Sequence, residues 1–291
     1  MKKLVILGCE NSHANGFLDF ITKEAEFAHL QVVGVYSEDP EAARKLHEIY
    51  GVPVMNSVDE AVGQVDGVII TARHGDKHYA FARPYLADGV PMFVDKPITI
   101  AENEAIEFMH TLKERGIPVT GGSMLRFNFN VRQVKQAFKE NVAGNTVGGI
   151  VRAPLYPTSP HGGFYFYAQH LVEMVMEIFG RYPQAVQVSV DSQENRTVLF
   201  HYEGFTVTGL YTNGGNEYYA TRFSKTGSQG GYVHTKSSDA QRTEFREFVQ
   251  LLQGGSMGLS YQELIAPVFV MNAIDRAAVS GCKEPVCYGE V

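Results

Sequence analysis

The stretch Pro91-Met92-Phe93-Val94-Asp95-Lys96-Pro97-Ile98-Thr99 sets the reading of this chain. Three apolar residues, Met92, Phe93 and Val94, run straight into a charged pair and then a proline. A strand covered on both faces reads this way: apolar while buried, ionic where its carboxyl end opens into a crevice. Pro97 disfavours helix at Lys96, so the lysine is held on extended or turned backbone. Thr99 and Glu102 have the spacing of a capping box, which predicts that the next helix starts there.

Outward from this stretch, the same alternation of strand and helix repeats. Residues 3–8 read as a strand, followed by Glu10, Asn11 and Ser12 and a helix to about Ala25. Leu30–Tyr36 is a second strand, and Asp39 caps a helix that stops at Gly51. Ser57 with Glu60 makes another capping box. Residues 67–71 form a strand and 77–86 a helix closed by Gly89; beyond the central stretch come a helix over 101–116 and a short strand over 117–120. This order predicts an α/β fold, with a doubly wound, Rossmann-type parallel sheet over residues 1–120 that takes ligands at its carboxyl strand ends.

A dinucleotide-binding turn has Gly-x-Gly-x-x-Gly between the first strand and helix. Here Gly8-Cys9-Glu10-Asn11-Ser12-His13 stands in its place, and only the first glycine is kept. Glu10 is expected to bring a carboxylate to where phosphate oxygens would lie, and His13 a ring to where helix and strand meet. Asn11 and Ser12 can cap the helix N-terminus, whose dipole favours an anion. By itself the motif leaves dinucleotide binding open. Ser37 occupies the position at the end of the second strand where an acid often reads the adenosine ribose, and it does not separate NAD from NADP.

From Gly121 the composition changes. Gly121-Gly122-Ser123 reads as a break, and residues 121–291 as a second, α+β domain. A helix with Val131, Val134 and Phe138 on one face follows the break. Runs rich in β-formers between 146 and 235, separated by turns such as Glu203-Gly204 and Asn213-Gly214-Gly215, predict a mostly antiparallel open sheet. Helices over 240–252 and 261–280 come last. One face of this sheet has no covering helix evident and is rich in Tyr and Phe, which predicts a homodimer or higher homo-oligomer.

The bulk numbers agree with an ordinary two-domain protein. The chain has 291 residues, 44% hydrophobic and 20% charged, with a net charge of -7 and no block of like charges. That balance argues against nucleic acid or an anionic membrane as the main partner. Three cysteines, Cys9, Cys282 and Cys287, do not make a disulfide framework and point to reduced thiols in the cytoplasm. The apolar part of the start, residues 4–7, is shorter than the roughly 7–15 residues of a signal core. No run reaches membrane-spanning length.

Several segments resemble one family. Strand, Asp95-Lys96-Pro97, then helix is similar to the Glu-Lys-Pro signature of the Gfo/Idh/MocA nicotinamide-dependent sugar and polyol dehydrogenases, with Asp95 in place of the glutamate. Arg73-His74-Gly75-Asp76-Lys77-His78 resembles the family's Thr-Pro-x-x-x-His: His78 matches, and His74 replaces the proline. Met124-Leu125-Arg126-Phe127 resembles the Arg-Phe segment that opens the family's second domain. Gly162-Gly163, followed by His170 and Glu173, resembles its Gly-Gly turn and Asp-x-x-x-His helix, with Phe166 at the aspartate position. The ending Ser280-Gly281-Cys282-Lys283-Glu284-Pro285-Val286 is similar to the family's close.

The resemblance implies hydride transfer between NAD or NADP and a secondary hydroxyl or ketone of a small polyhydroxylated substrate. Lys96 and His170 would be catalytic. Gly8, Glu10, Asn11, Ser12, Ser37, His74, His78, Asp95 and Lys96 would line the cofactor, and Arg126, His161 and Tyr167 the substrate. Two alternatives stand beside it. A non-catalytic, ligand-binding or regulatory member of the fold is favoured by the altered glycine motif and by Phe166. A metal-assisted lyase or hydrolase would use Glu10, His13, His74, His78 and Asp95, but these lack tight ligand spacing, so no metal site is assigned.

Overall fold

Strands buried on both faces alternate with amphipathic helices from the first residues onward. The computed structural model describes residues 1–137, 145–235 and 239–291. β1 (Lys2–Leu7), α1 (Ser12–Lys23), β2 (Leu30–Tyr36), α2 (Pro40–Tyr50), β3 (Gly67–Ile70), α3 (Asp76–Ala82), β4 (Met92–Asp95), α4 (Glu102–Glu114) and β5 (Val119–Gly122) follow one another in the first unit. The strands form one parallel sheet in the order β2-β1-β3-β4-β5. Every residue of β3, β4 and β5 is buried, as the apolar runs predict for a doubly covered sheet.

Local signals hold in most places, and the exceptions have identifiable causes. The Asp39 side chain caps α2 by accepting from Glu41 N, and Gly51 ends it in the left-handed conformation. Glu60 does reach back to Asn56 N, at 2.6 Å, but the chain there makes turns and no helix. Gly63, at φ +73°, breaks the segment before a second turn of helix can form. Thr99 Oγ1 donates to Ala101 O instead of capping, so α4 begins at Glu102 with Ala101 as its cap residue. β5 runs through Gly121 and Gly122, which the sequence alone presents as a break. At Gly121, φ is +142° and a Cβ would lie 1.8 Å from Val94 O, so only glycine lets the ladder to β4 close there.

In the second unit come α5 (Phe129–Gln136), β6 (Thr146–Leu155), α6 (Tyr165–Phe179), β7 (Ala185–Val190), β8 (Arg196–Tyr202), β9 (Phe205–Asn213), β10 (Tyr219–Ser224) and β11 (Gly227–Tyr232). α7 (Asp239–Leu252), α8 (Tyr261–Ser280) and β12 (Glu284–Pro285) complete the chain. The second sheet has the order β11-β10-β6-β9-β8-β7-β12. Among the described residues only β6 and β9 pair in parallel in this sheet, so it is mixed and mostly antiparallel. Val131 and Val134 of α5 are buried, whereas Phe138 lies outside the described residues. β11 ends at Tyr232, short of residue 235 to which the β-rich runs extend in the sequence, and is built from the weak β-formers Gly-Ser-Gln-Gly-Gly before that tyrosine.

The two compact units are Met1–Gly122 with Gln241–Leu264 and Val291, and Ser123–Ala240 with Ile265–Glu290. This differs from the expectation that all of 121–291 forms the second domain. The residues of α7 from Gln241 onward complete the first unit's core: Phe245 stacks on Phe17 at 4.9 Å, and Phe17 meets Phe93 edge-on at 5.0 Å. Arg242 grips Glu24 and Arg246 grips Glu26, each through two guanidinium nitrogens. An amphipathic helix shows that it has an apolar face but not which sheet that face covers.

Candidate active site

Strand order in the first sheet reverses between β1 and β3, and open α/β sheets take ligands in the crevice outside the carboxyl strand ends at such a point. Gly8 draws those ends together. Its φ is +75°, and a Cβ on it would lie 2.4 Å from the Ala72 backbone, so no other residue fits this approach. Gly8 N donates to Tyr36 O at 2.8 Å, and Thr71 Oγ1 donates to Gly8 O at 3.0 Å. The ends of β1, β2 and β3 are thereby tied to one another.

Asp95, at the last residue of β4, is fully buried and surrounded by donors. Asn11 Nδ2 donates to its Oδ2 at 2.8 Å, and Lys96 N donates to its Oδ1 at 2.7 Å. His13 Nδ1 lies 2.9 Å from Oδ2. Burial pushes the Asp95 carboxyl up; the facing His13 and the neighbouring Lys96 outweigh it, and the net direction is down. Asn11 also caps α1 by accepting from His13 N. His13, which takes the place of the third glycine, is therefore absorbed by a partner that the glycine motif does not contain.

Lys96 is buried beside this carboxylate. Burial pulls its ammonium down from the usual 10.5 to about 8, with Asp95 opposing the drop and Arg73 adding to it. A lysine in this state exchanges its proton around pH 8.

Glu10 does not point its charge freely into the turn. Ser37 Oγ donates to Glu10 Oε2 at 2.7 Å, and Arg73 N donates to Oε1 at 3.0 Å. The carboxylate is clasped between the ends of β2 and β3. Ser12 remains exposed on the first turn of α1.

His78 is fully buried, with Nδ1 2.7 Å from Pro97 O and Nε2 2.8 Å from Ala72 O. Burial lowers its pKa, and the two carbonyls and Asp95 offset that only in part. The ring braces the loop after β3 against the loop that carries Lys96. His74 stands apart from this group, partly exposed and 3.7 Å from Asp76. Among the described residues no three His, Cys, Asp or Glu side chains gather as a metal site.

In the second unit, His170 on α6 is buried, and its Nδ1 lies 2.7 Å from Ser123 Oγ. That hydroxyl also accepts from Leu125 N. The Tyr167 and Tyr218 rings meet the imidazole edge-on at 5.1 and 6.0 Å. Ser123 and Tyr218 are partners that sequence reading missed; the serine was visible only as the end of a Gly-Gly break. Glu173 is not among the groups around the imidazole: it is buried in an ion pair with Arg181 at 3.0 Å. Phe166, at the aspartate position, packs on Tyr167 at 4.9 Å and on His161 at 5.2 Å. Arg126 is buried, with its guanidinium 4.0 Å above the Phe127 ring.

A dinucleotide fits the first unit in three respects. The Gly8 turn is closed, an exposed Ser12 opens α1, and both side chains that replace glycines are held by partners within the unit. A parallel sheet with this order and this turn defines a Rossmann-type unit. Residues 2–123 match the family model GFO_IDH_MocA, described as "Oxidoreductase family, NAD-binding Rossmann fold". An uncharacterized oxidoreductase of Escherichia coli K12, YhhX, is 26% identical over 150 residues, 48% of this chain and 43% of that protein. The chain thus matches less than half the length of this curated relative.

Among solved structures, the fold is similar to myo-inositol dehydrogenase from Lactobacillus casei in complex with NAD(H) and myo-inositol. That comparison has a TM-score of 0.86 and 14% identity and covers 100% of this chain and 98% of the other. Myo-inositol dehydrogenase from Corynebacterium glutamicum gives a TM-score of 0.80 with 16% identity and covers 99% and 100%. Among the described residues no helix is long and apolar enough to cross a membrane.

Proposed function

We propose that the protein is an NAD- or NADP-dependent oxidoreductase that interconverts a secondary hydroxyl and a ketone on a sugar, polyol or related small molecule. The observation that carries this reading is Lys96: buried at the carboxyl end of β4, beside a fixed carboxylate, with its pKa brought to about 8. The nicotinamide, when bound, supplies the hydride acceptor or donor. Lys96 takes the substrate hydroxyl proton as the alcohol is oxidised and returns it as the ketone is reduced. Asp95, held by Asn11, His13 and the Lys96 amide, fixes the lysine's neighbourhood. His170 orients the hydroxyl or relays its proton, and Arg126, His161 and Tyr167 bind the substrate's other oxygens. The polyol class draws support from the inositol dehydrogenases of similar fold.

The test is a panel of polyols and sugars with each nicotinamide dinucleotide, run with the parent and Lys96→Met. Turnover in the variant is expected to fall by about 10²–10⁴, with dinucleotide affinity nearly unchanged. Equal turnover in the two proteins removes Lys96 from the mechanism. A second reading, a non-catalytic binding member of the same fold, is favoured by Phe166. It predicts dinucleotide binding with no turnover on any member of the panel.

The protein is further proposed to act in the cytoplasm as a homodimer. On the face of the second sheet opposite the buried Val198, Phe200 and Val207, Leu199 and Leu210 are only partly covered, and burying such a face is the simplest use of a two-fold axis. A sedimentation mass near the 32.2 kDa of one chain at micromolar concentration overturns the dimer.

A further inference from the structure

The end of β2 lacks the acid that reads the adenosine ribose in dinucleotide-binding folds; Ser37 stands there. Its hydroxyl is not left to face a ligand alone. It accepts from Asp39 N at 3.0 Å and donates to Glu10 Oε2 at 2.7 Å, bringing a carboxylate from the β1–α1 loop to the end of β2. Arg73 N holds the other oxygen at 3.0 Å. We propose that Glu10 is the ribose-recognising acid of this protein, supplied from a different strand end, and that it selects NAD over NADP. The inference rests on the dinucleotide reading given above.

Three features carry it. An ionised carboxylate has about four acceptor positions. The clasp uses one on each oxygen, and the remainder can accept from the two hydroxyls of a ribose. The clasp also fixes the group before any ligand arrives, so little side-chain entropy is lost on binding. Finally, apart from Arg73, whose backbone N–H holds Glu10, the charges at this edge disfavour a 2′-phosphate. Glu38 and Asp39 follow Ser37 directly, and Lys77, a lysine at this edge, is already paired with Glu38 at 3.0 Å. A phosphate dianion at the ribose 2′ position brings no donor for Glu10 and meets a fixed negative charge.

The geometry reverses the effect expected of Glu10 from sequence alone, where a carboxylate beside the pyrophosphate weakens binding. Calorimetric titration of NADH and NADPH into the parent, Glu10→Gln and Glu10→Asp separates the possibilities. The parent is expected to bind NADH at least about tenfold more tightly than NADPH. Glu10→Gln keeps the size and removes the charge; its NADH affinity should fall about tenfold and its preference should shrink by about tenfold. Glu10→Asp keeps the charge but shortens its reach; NADH affinity should drop while NADPH remains disfavoured. The Asp variant decides the matter should the Gln variant fail to fold. A parent that prefers NADPH, a Glu10→Gln preference equal to the parent's, or a Glu10→Asp variant that binds both cofactors equally overturns the inference while leaving the oxidoreductase reading intact. A folded parent that binds neither dinucleotide overturns both.

Discussion

Lys96 combines a chemical role with a cost to stability. Its pKa of about 8 in the fold lies below the usual 10.5 of an unfolded chain, because burial disfavours the ammonium. Two consequences follow at this residue. Alcohol oxidation needs the neutral amine, so turnover should rise with pH through about 8, and the low residual rate of Lys96→Met should not show that rise. Below about 8 the folded protein carries the full penalty of a buried ammonium. Between about 8 and 10.5 the folded lysine gives up its proton while the unfolded chain keeps it, so that penalty disappears as pH rises. Lys96→Met should therefore be more stable than the parent at neutral pH, by at most about 3 kcal/mol, with the gap closing toward pH 10.5. Denaturant titrations at two pH values measure it; a variant less stable than the parent at neutral pH refutes it. The same residue would then limit stability and enable reaction, a trade common at working sites.

Between elements, His78 joins two strand ends that the chain leaves far apart in sequence. His78→Phe fills similar space but removes the one N–H that a neutral imidazole can give to Ala72 O or Pro97 O, and a buried carbonyl left so should cost about 1–3 kcal/mol. The folded ring's pKa is lowered, so below 6.5 the unfolded chain takes up a proton that the fold resists, and the parent loses stability as pH falls. Thermal unfolding at neutral and mildly acid pH should show the variant weaker at both and less sensitive to acid. A variant as stable as the parent shows that the brace contributes nothing. The order of strands and helices was legible from apolar runs and caps because periodicity and capping are local properties. Asp95 and Lys96 were legible too, since an apolar run that ends in charge marks an opening strand end. The direction of Glu10 was not, because a flexible side chain is placed by partners such as Ser37 and Arg73 that lie on other strands. Nor was Ser123 as the partner of His170, since a hydroxyl after two glycines reads equally well as part of a turn.

Across the whole chain, the first unit is not contiguous. Phe245 and Phe248 of α7 complete the aromatic cluster that Phe17, Phe20, Phe27 and Phe93 begin. Tyr261 Oη donates to Ile117 O at 2.8 Å, and Thr120 donates to Glu247. Fragment 1–122 made alone should therefore expose that cluster, bind a hydrophobic dye and melt without a cooperative transition. A sharp transition in the isolated fragment refutes this dependence. The same interleaving has a consequence on the ribosome. Translation emits the chain from its N-terminus at roughly 5–20 residues per second, and about 140 residues separate Gly122 from Leu264. The nascent sheet must then wait roughly 7–28 s for the helix that seals it. Through that interval its aromatic face is open to chaperones, so the part of the chain made first is among the last to be finished.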